Sequence, residues 1–310
     1  MRKFILLIMI MLPLCYLGIK DNVATGKAAN NGISTAETSA ERNIAPMQMK
    51  FHCEKDTAEI NELLKAGIES GKKTPNELVM LYGQKLIGTP YVAHTLEGKE
   101  EMLTINIDQL DCTTFIETLY ALTRTTLDGR FSWRDFANNL ENIRYQNGEM
   151  NGYSSRLHYF SEWVVDNFHR GNVSELTSSI PGSRDIIKTL DFMSGHRNLY
   201  PALKDSVEFE KIKSVEAGYT MHKFYYVKKE WLNSKETKDA IEDGDIAGLV
   251  TKKEGLDVSH LGILMKKDDT LYLLNASSVD GKVEISKETL SDMLKRSRNA
   301  LGIRVIRINK

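Results

Sequence analysis

The stretch Leu110-Asp-Cys-Thr-Thr-Phe115 places a cysteine where a polar run gives way to an apolar helical pattern. A thiolate at a helix N-terminus is stabilised by backbone N–H groups and the helix dipole, which lower its pKa. Cys112 is placed for this. Taken alone, the segment favours a buried core thiol, because free cysteine often packs as a small hydrophobe.

A nucleophilic cysteine needs a base, and the base needs an orienting group. Of the seven histidines, His260 has the best context. It opens His260-Leu-Gly-Ile-Leu-Met265, a polar turn follows, and Leu271-Tyr-Leu-Leu-Asn275 returns. A hairpin centred on Asp268-Asp269 pairs residue 262 with residue 275. Side chains alternate along a strand, so His260, Gly262 and Asn275 share a face. His260 and Asn275 are then diagonal neighbours, roughly 7–8 Å apart, and Gly262 leaves that face open. An Asn that accepts from one imidazole nitrogen fixes the tautomer and aims the other nitrogen at a thiol, as in Cys-His-Asn hydrolases.

These residues need a scaffold. A helix is predicted over 112–127, with Asp108 or Asp111 as cap and Asp128-Gly129 as stop. Another is predicted from Trp133 to Arg144, and a further one from Arg156 to His169. Thr74-Pro75 is a helix start. The last third changes to short β-like runs: 224–227, 245–250, 261–265, 271–274, 283–285 and 303–308. Helices first and strands later imply an α+β domain.

The N-terminus carries Arg2 and Lys3 ahead of an apolar run over 4–12, the pattern of a secretory signal. Residues 1–20 are read as that signal and 21–53 as a disordered linker rich in Ala, Asn, Ser, Thr and Gly. The cysteine domain then runs from 54 to 310. Export to the periplasm or cell envelope follows, with no stable membrane insertion once the signal is removed. A lipid anchor at Cys15 is disfavoured, because Pro13 and Leu14 stand where a lipoprotein box has small residues. Cys53 and Cys112 remain as one disulfide option that no spacing supports. A net charge of −1 over 310 residues gives no sign of a nucleic-acid partner. No metal-ligand spacing stands out and no cofactor is expected.

Four segments in order resemble the NlpC-type cell-wall cysteine peptidases: Gly88-Thr-Pro-Tyr91, Asp111-Cys112-Thr-Thr-Phe115, Asp243-Gly-Asp-Ile246 and His260-Leu-Gly-Ile263. The closer resemblance is to an N-acetylmuramoyl-L-alanine amidase-like branch. It is carried by Leu110-Asp-Cys-Thr-Thr-Phe-Ile-Glu117, Ser155-Arg-Leu-His-Tyr-Phe160, Gly255-Leu-Asp-Val-Ser-His260 and Leu274-Asn-Ala-Ser-Ser278. The resemblance implies a papain-like core, helices packed on an antiparallel sheet, with a largely helical insert at about 130–201. It implies Cys112 as nucleophile, His260 as base and Asn275 as third polar residue, where the branch commonly has His.

Tyr91 would lie beside the reaction centre. Asp111 would face the cleft, although an N-acetylmuramoyl-L-alanine bond offers no free amine for it to meet. Arg156 and His158 are substrate-binding candidates, while Trp163 is expected to pack the core. The expected function is exported cysteine hydrolysis of the amide between N-acetylmuramic acid and L-Ala in peptidoglycan fragments. The alternatives are a D-γ-glutamyl-diamino-acid endopeptidase, an acyltransferase using the same thioester, and a non-catalytic cell-wall binding module.

Overall fold

The computed structural model describes residues 49–310. The signal, Cys15 and most of the expected linker lie outside the described residues. The first half runs β1 (Met49–Phe51), α1 (Asp56–Glu69), α2 (Pro75–Lys85), β2 (Leu103–Ile105), α3 (Cys112–Leu127), α4 (Trp133–Arg144) and α5 (Phe160–His169). Then come β3 (Val173–Glu175), β4 (Ser183–Lys188), α6 (Phe192–Gly195), α7 (Ser206–Ala217), β5 (His222–Lys228) and α8 (Lys235–Ala240). The chain closes with β6 (Ile246–Thr251), β7 (Val258–Lys267), β8 (Thr270–Ser277), β9 (Lys282–Ile285), α9 (Leu290–Arg296) and β10 (Ala300–Ile308).

Helices α2 and α3 begin where their caps dictate. Thr74 and Glu77 form a capping box with Pro75 at the first helical position. Asp111 Oδ1 accepts from Thr113 N at 3.0 Å and Thr114 N at 2.8 Å. The capped end of α3 therefore starts at Cys112 itself.

The main sheet has the order β4-β5-β10-β6-β7-β8-β9, with β3 also paired to β10. All its pairings are antiparallel. One face meets the first five helices: Leu261, Ile263, Leu274, Ala276 and Ile306 pack with Phe115, Leu119, Leu140 and Trp163. The other face buries Leu249, Leu264, Leu273 and Val305 with Leu290 and Leu294 of α9. Strands buried on both faces read as continuous apolar runs, which is why β6, β7 and β8 are visible in the sequence.

The Asp243-Gly-Asp-Ile246 segment opens β6. Gly244 has φ +94°, and a Cβ there would lie 2.7 Å from the Asn76 carbonyl, so glycine is required. Asp245 is fully buried and takes Arg307 Nε at 2.7 Å and Nη2 at 2.8 Å.

Three expectations change. The domain is already folded at Met49, where β1 runs parallel to β2, ahead of the boundary at residue 53. The helix read from Arg156 begins at Phe160, because Arg156 is extended and bridged to Tyr145, and Tyr159 is an extended N-cap. The segment 130–201 is not simply helical, since it lends β3 and β4 to the main sheet. β4 is an outer, half-exposed strand, Ser-Arg-Asp-Ile-Ile-Lys, with polar residues at all but its two isoleucine positions, and so lacks the apolar run of an interior strand. Cys53 and Cys112 are both free thiols.

Candidate active site

Hairpin β7–β8 turns on Asp268 and Asp269, both at positive φ (51° and 55°), with Lys267 paired to Thr270. This two-residue turn sets a register of Ile263 to Leu274. Continued one step, it sets residue 262 opposite residue 275. His260 Nε2 lies 2.7 Å from Asn275 Oδ1. The amide orientation is fixed independently, because Asn275 Nδ2 donates to the Leu273 carbonyl at 3.2 Å and the Glu284 carbonyl at 3.4 Å. Oδ1 is thus the acceptor, Nε2 carries the imidazole proton, and Nδ1 is left as the basic nitrogen.

The diagonal pairing is as expected, but two details differ. Strand β7 is bulged on its β6 side: Gly248 pairs Leu261 and Val250 pairs Val258. Ser259 and His260 therefore share one opposing residue, Leu249. A bulge breaks the simple alternation and re-aims the side chain it carries. The face at Gly262 is also closed, not open: Leu273 fills it, its side chain 2.6 Å from where a Cβ would sit.

Cys112, His158 and His260 line one cavity of about 190 Å³, with Phe160, Trp163, Asp257 and Leu261 among the other wall residues. Tyr91 is not on the cavity wall but lies close enough to feel Cys112 and Asp111. Its segment is stitched to the loop before α3 through Val92 N to Leu110 O at 3.2 Å and Leu110 N to Pro90 O at 3.0 Å. Burial, with the Cys112 and Asp111 side chains nearby opposing a further negative charge, pushes the Tyr91 phenol up to about 12. It remains a hydrogen-bond donor at neutral pH.

The electrostatics of the thiol run against expectation. Burial, reinforced by the Asp111 carboxylate, pushes Cys112 up to about 12. Burial also lowers His260, although the Asn275 bond and the Asp111 charge oppose this. Desolvation and the adjacent carboxylate outweigh the helix N-terminus, so a neutral thiol and a neutral imidazole line the same cavity. Asp111 spends Oδ1 on the helix cap, where it also meets Thr114 Oγ1 at 2.9 Å.

His158 is half-buried against Tyr153, donating from Nε2 to the Tyr153 carbonyl at 2.9 Å. Burial and the Arg156 charge hold it at about 3, so it is neutral and presents Nδ1 as an acceptor. Arg156 is not on the cavity wall. It pairs with Glu97 at 2.7 Å and the Leu96 carbonyl at 3.2 Å, and lies 3.8 Å from Glu101. Two wall residues had no role in the sequence reading. Trp163, expected in the core, is both core and wall, stacked on Phe160 at 5.8 Å. Asp257 lies in the Gly255–His260 segment already singled out, and its carboxylate accepts from the Ser161 and Val258 amides.

The family model described as N-acetylmuramoyl-L-alanine amidase-like matches residues 81–303, which contain Tyr91, Cys112, His158, His260 and Asn275. The chain belongs to this family. This amidase-like chain is similar to a solved N-acetylmuramoyl-L-alanine amidase from Bacteroides uniformis, with 37% identity and a TM-score of 0.72. That alignment covers 76% of this chain and 99% of the other. It is also similar to a Bacteroides fragilis structure bearing a xylanase name, with 38% identity, a TM-score of 0.68, and coverage of 73% and 98%. A Legionella pneumophila protein shares the fold at 21% identity and a TM-score of 0.60, over 82% and 97% of the two chains. Comparison with curated proteins found no match. Membership makes the chain an amidase-like hydrolase of the class that acts on peptidoglycan.

Proposed function

We propose that this chain is an exported cysteine amidohydrolase with a papain-like, NlpC-type core, cutting the amide between N-acetylmuramic acid and L-Ala. The observation that carries the reading is the 2.7 Å bond from His260 Nε2 to Asn275 Oδ1, behind a cavity that Cys112 and His260 both line. It is the base-and-orienter half of a Cys-His-Asn site, with a thiol at the same wall.

The neutral resting pair favours proton transfer during attack over a preformed ion pair. As Cys112 sulfur bonds to the lactyl carbonyl carbon, its proton moves to His260 Nδ1. The oxyanion meets the Cys112 backbone N–H and the Tyr91 hydroxyl. Collapse breaks the C–N bond, and His260 returns the proton to the departing L-Ala amine. Water then adds to the thioester with His260 as base, releasing the muramic carboxylate and the thiol. In this scheme Asp111 caps α3 and needs no substrate amine, which resolves the mismatch with an amide-linked L-Ala.

Export rests on the basic and apolar residues at the start of the chain. No helix among the described residues is long and apolar enough to cross a membrane.

The xylanase name of one relative suggests a second reading. Glycoside hydrolysis needs two carboxyl groups flanking a sugar bond, about 5–9.5 Å apart. The cavity wall offers one, Asp257, and backbone amides occupy it. The test is mass spectrometry of a disaccharide-tetrapeptide after digestion. Free tetrapeptide plus intact disaccharide supports the amidase. Release of a dipeptide with the γ-glutamyl bond cut would assign the endopeptidase instead. A split disaccharide would assign the glycosidase.

A further inference from the structure

The domain holds a second chemistry-bearing cluster away from the cavity. Cys53 follows β1, Asp56 opens α1, and Asp108 lies in the loop between β2 and α3. One donor atom from each lies within 4.8 Å of the others. Cys53 Sγ is 3.2 Å from Asp108 Oδ2. Asp56 is completely buried; its Oδ2 accepts from Cys53 N at 2.8 Å, while Oδ1 is enclosed with no hydrogen-bond partner. A buried carboxylate oxygen without a donor costs free energy unless something positive meets it. Glu59 sits three residues beyond Asp56, on the same helical face, and its carboxyl also reaches Asp108.

We propose that Cys53, Asp56 and Asp108, with Glu59 as a fourth donor, form a structural site for a divalent cation of the zinc class. Hard cations such as Ca²⁺ take oxygen donors only, whereas a thiolate selects a softer ion. Four-coordinate zinc, with bonds of about 2.0–2.3 Å, holds its donor atoms roughly 3.3–3.8 Å apart. The sulfur and the Asp108 oxygen, 3.2 Å apart, need to open by a few tenths of an ångström to take the ion between them, and the third donor needs to close by about an ångström. The ion would supply the partner that Asp56 Oδ1 lacks. It would also fasten the entrance of the domain, β1 and α1, to the loop that leads into Cys112. The sequence hides this site because Asp108 comes from 55 residues beyond Cys53, joined to it only by the parallel β1–β2 pairing.

The test is zinc titration of the chelator-treated full chain by calorimetry, made also on Cys112→Ala so that zinc at the cavity thiol is not counted. One equivalent should bind in both. It should raise the melting temperature by roughly 5 °C at saturation and slow alkylation of Cys53, read by peptide mass spectrometry, at least about tenfold. Ca²⁺ should do neither. Cys53→Ser and Asp108→Asn should each lose the zinc-dependent melting shift; the second preserves shape if the first folds poorly. Zinc uptake by Cys112→Ala that leaves Cys53 alkylation unchanged, or no uptake at all, overturns the site without touching the amidase reading.

Discussion

Two polar regions lie along the same helix, α3, and they are built on opposite rules. Deeper in the protein, Glu117 takes Arg144 Nε at 2.7 Å, and Arg144 Nη1 reaches the Thr104 carbonyl at 2.8 Å. Arg156 meets Glu97 and Glu101, and Tyr145 donates to Glu101 at 2.8 Å. Charges there are buried, opposed and hydrogen-bonded. At the N-terminal end of α3, next to the capping Asp111 carboxylate, the groups that line the cavity are neutral, Cys112 held protonated and His260 and His158 held unprotonated. Each imidazole has one nitrogen anchored and one acceptor left over. Saturated charge holds structure together, whereas unsaturated neutral groups can exchange protons with a substrate. The difference explains why Arg156, which looked like a carboxylate ligand in sequence, belongs to the scaffold.

The largest expected effect breaks the cavity side alone. Cys112→Ala should lower kcat by about 10⁵–10⁶-fold, the scale of losing a nucleophile, while the urea midpoint stays close to wild type. Muropeptide turnover and a denaturation curve on the same preparation check both halves. Surviving turnover would mean a different nucleophile, and no turnover in either protein would leave the binding-module reading.

Next in size, Glu117→Ala strands the Arg144 guanidinium in the core and should cost about 3–5 kcal/mol of stability. The folded fraction should keep kcat/KM within a few-fold. Replacing both partners, Glu117→Leu with Arg144→Met, should recover much of the loss. If the single variant lost activity without losing stability, the two regions would not be separate.

The contrast also marks what could be read from the sequence. The hairpin was legible because a turn of two aspartates between two apolar runs acts locally, and register follows from the turn. The α3 cap was legible for the same reason. What was hidden is non-local. Glu97 and Glu101 reach Arg156 across more than fifty residues, so Arg156 looked available. The bulge at Ser259–His260 depends on how β6 meets β7, and strict alternation cannot foresee it. Cys112 was expected to be acidic from its helix position, but burial is a property of the folded cavity and here it dominates.

A smaller effect sharpens the cavity side. Asn275→Ala should lower kcat about 10²-fold by releasing the His260 tautomer, with KM little changed. Asn275→His can accept the same proton and should retain most of the activity. Steady-state kinetics of the two variants separate orientation from bulk, since alanine also leaves a small void among buried strands.

The smallest expected effect lies where the two regions touch. The His158 backbone donates to Glu162 Oε2 at 3.0 Å, and Gln146 donates to Glu162 Oε1 at 2.7 Å. Burial raises Glu162 to about 7 and lowers His158 to about 3. The unfolded chain takes up the histidine proton near 6.5 while the folded chain resists it. That contribution is therefore lost as pH falls from about 6.5 towards 3. The unfolded chain releases the glutamate proton near 4.5 while the folded chain holds it, so that contribution is lost as pH rises from about 4.5 to 7. Between about 4.5 and 6.5 the two slopes oppose, and wild-type stability should be nearly flat with respect to this pair. His158→Asn should uncover a decline with rising pH, and Glu162→Gln a decline with falling pH, each at most about 1.4 kcal/mol per pH unit. Urea midpoints at pH 4.5, 5.5 and 6.5 for the three proteins measure it. Parallel curves would mean that neither group is desolvated as the cavity geometry requires.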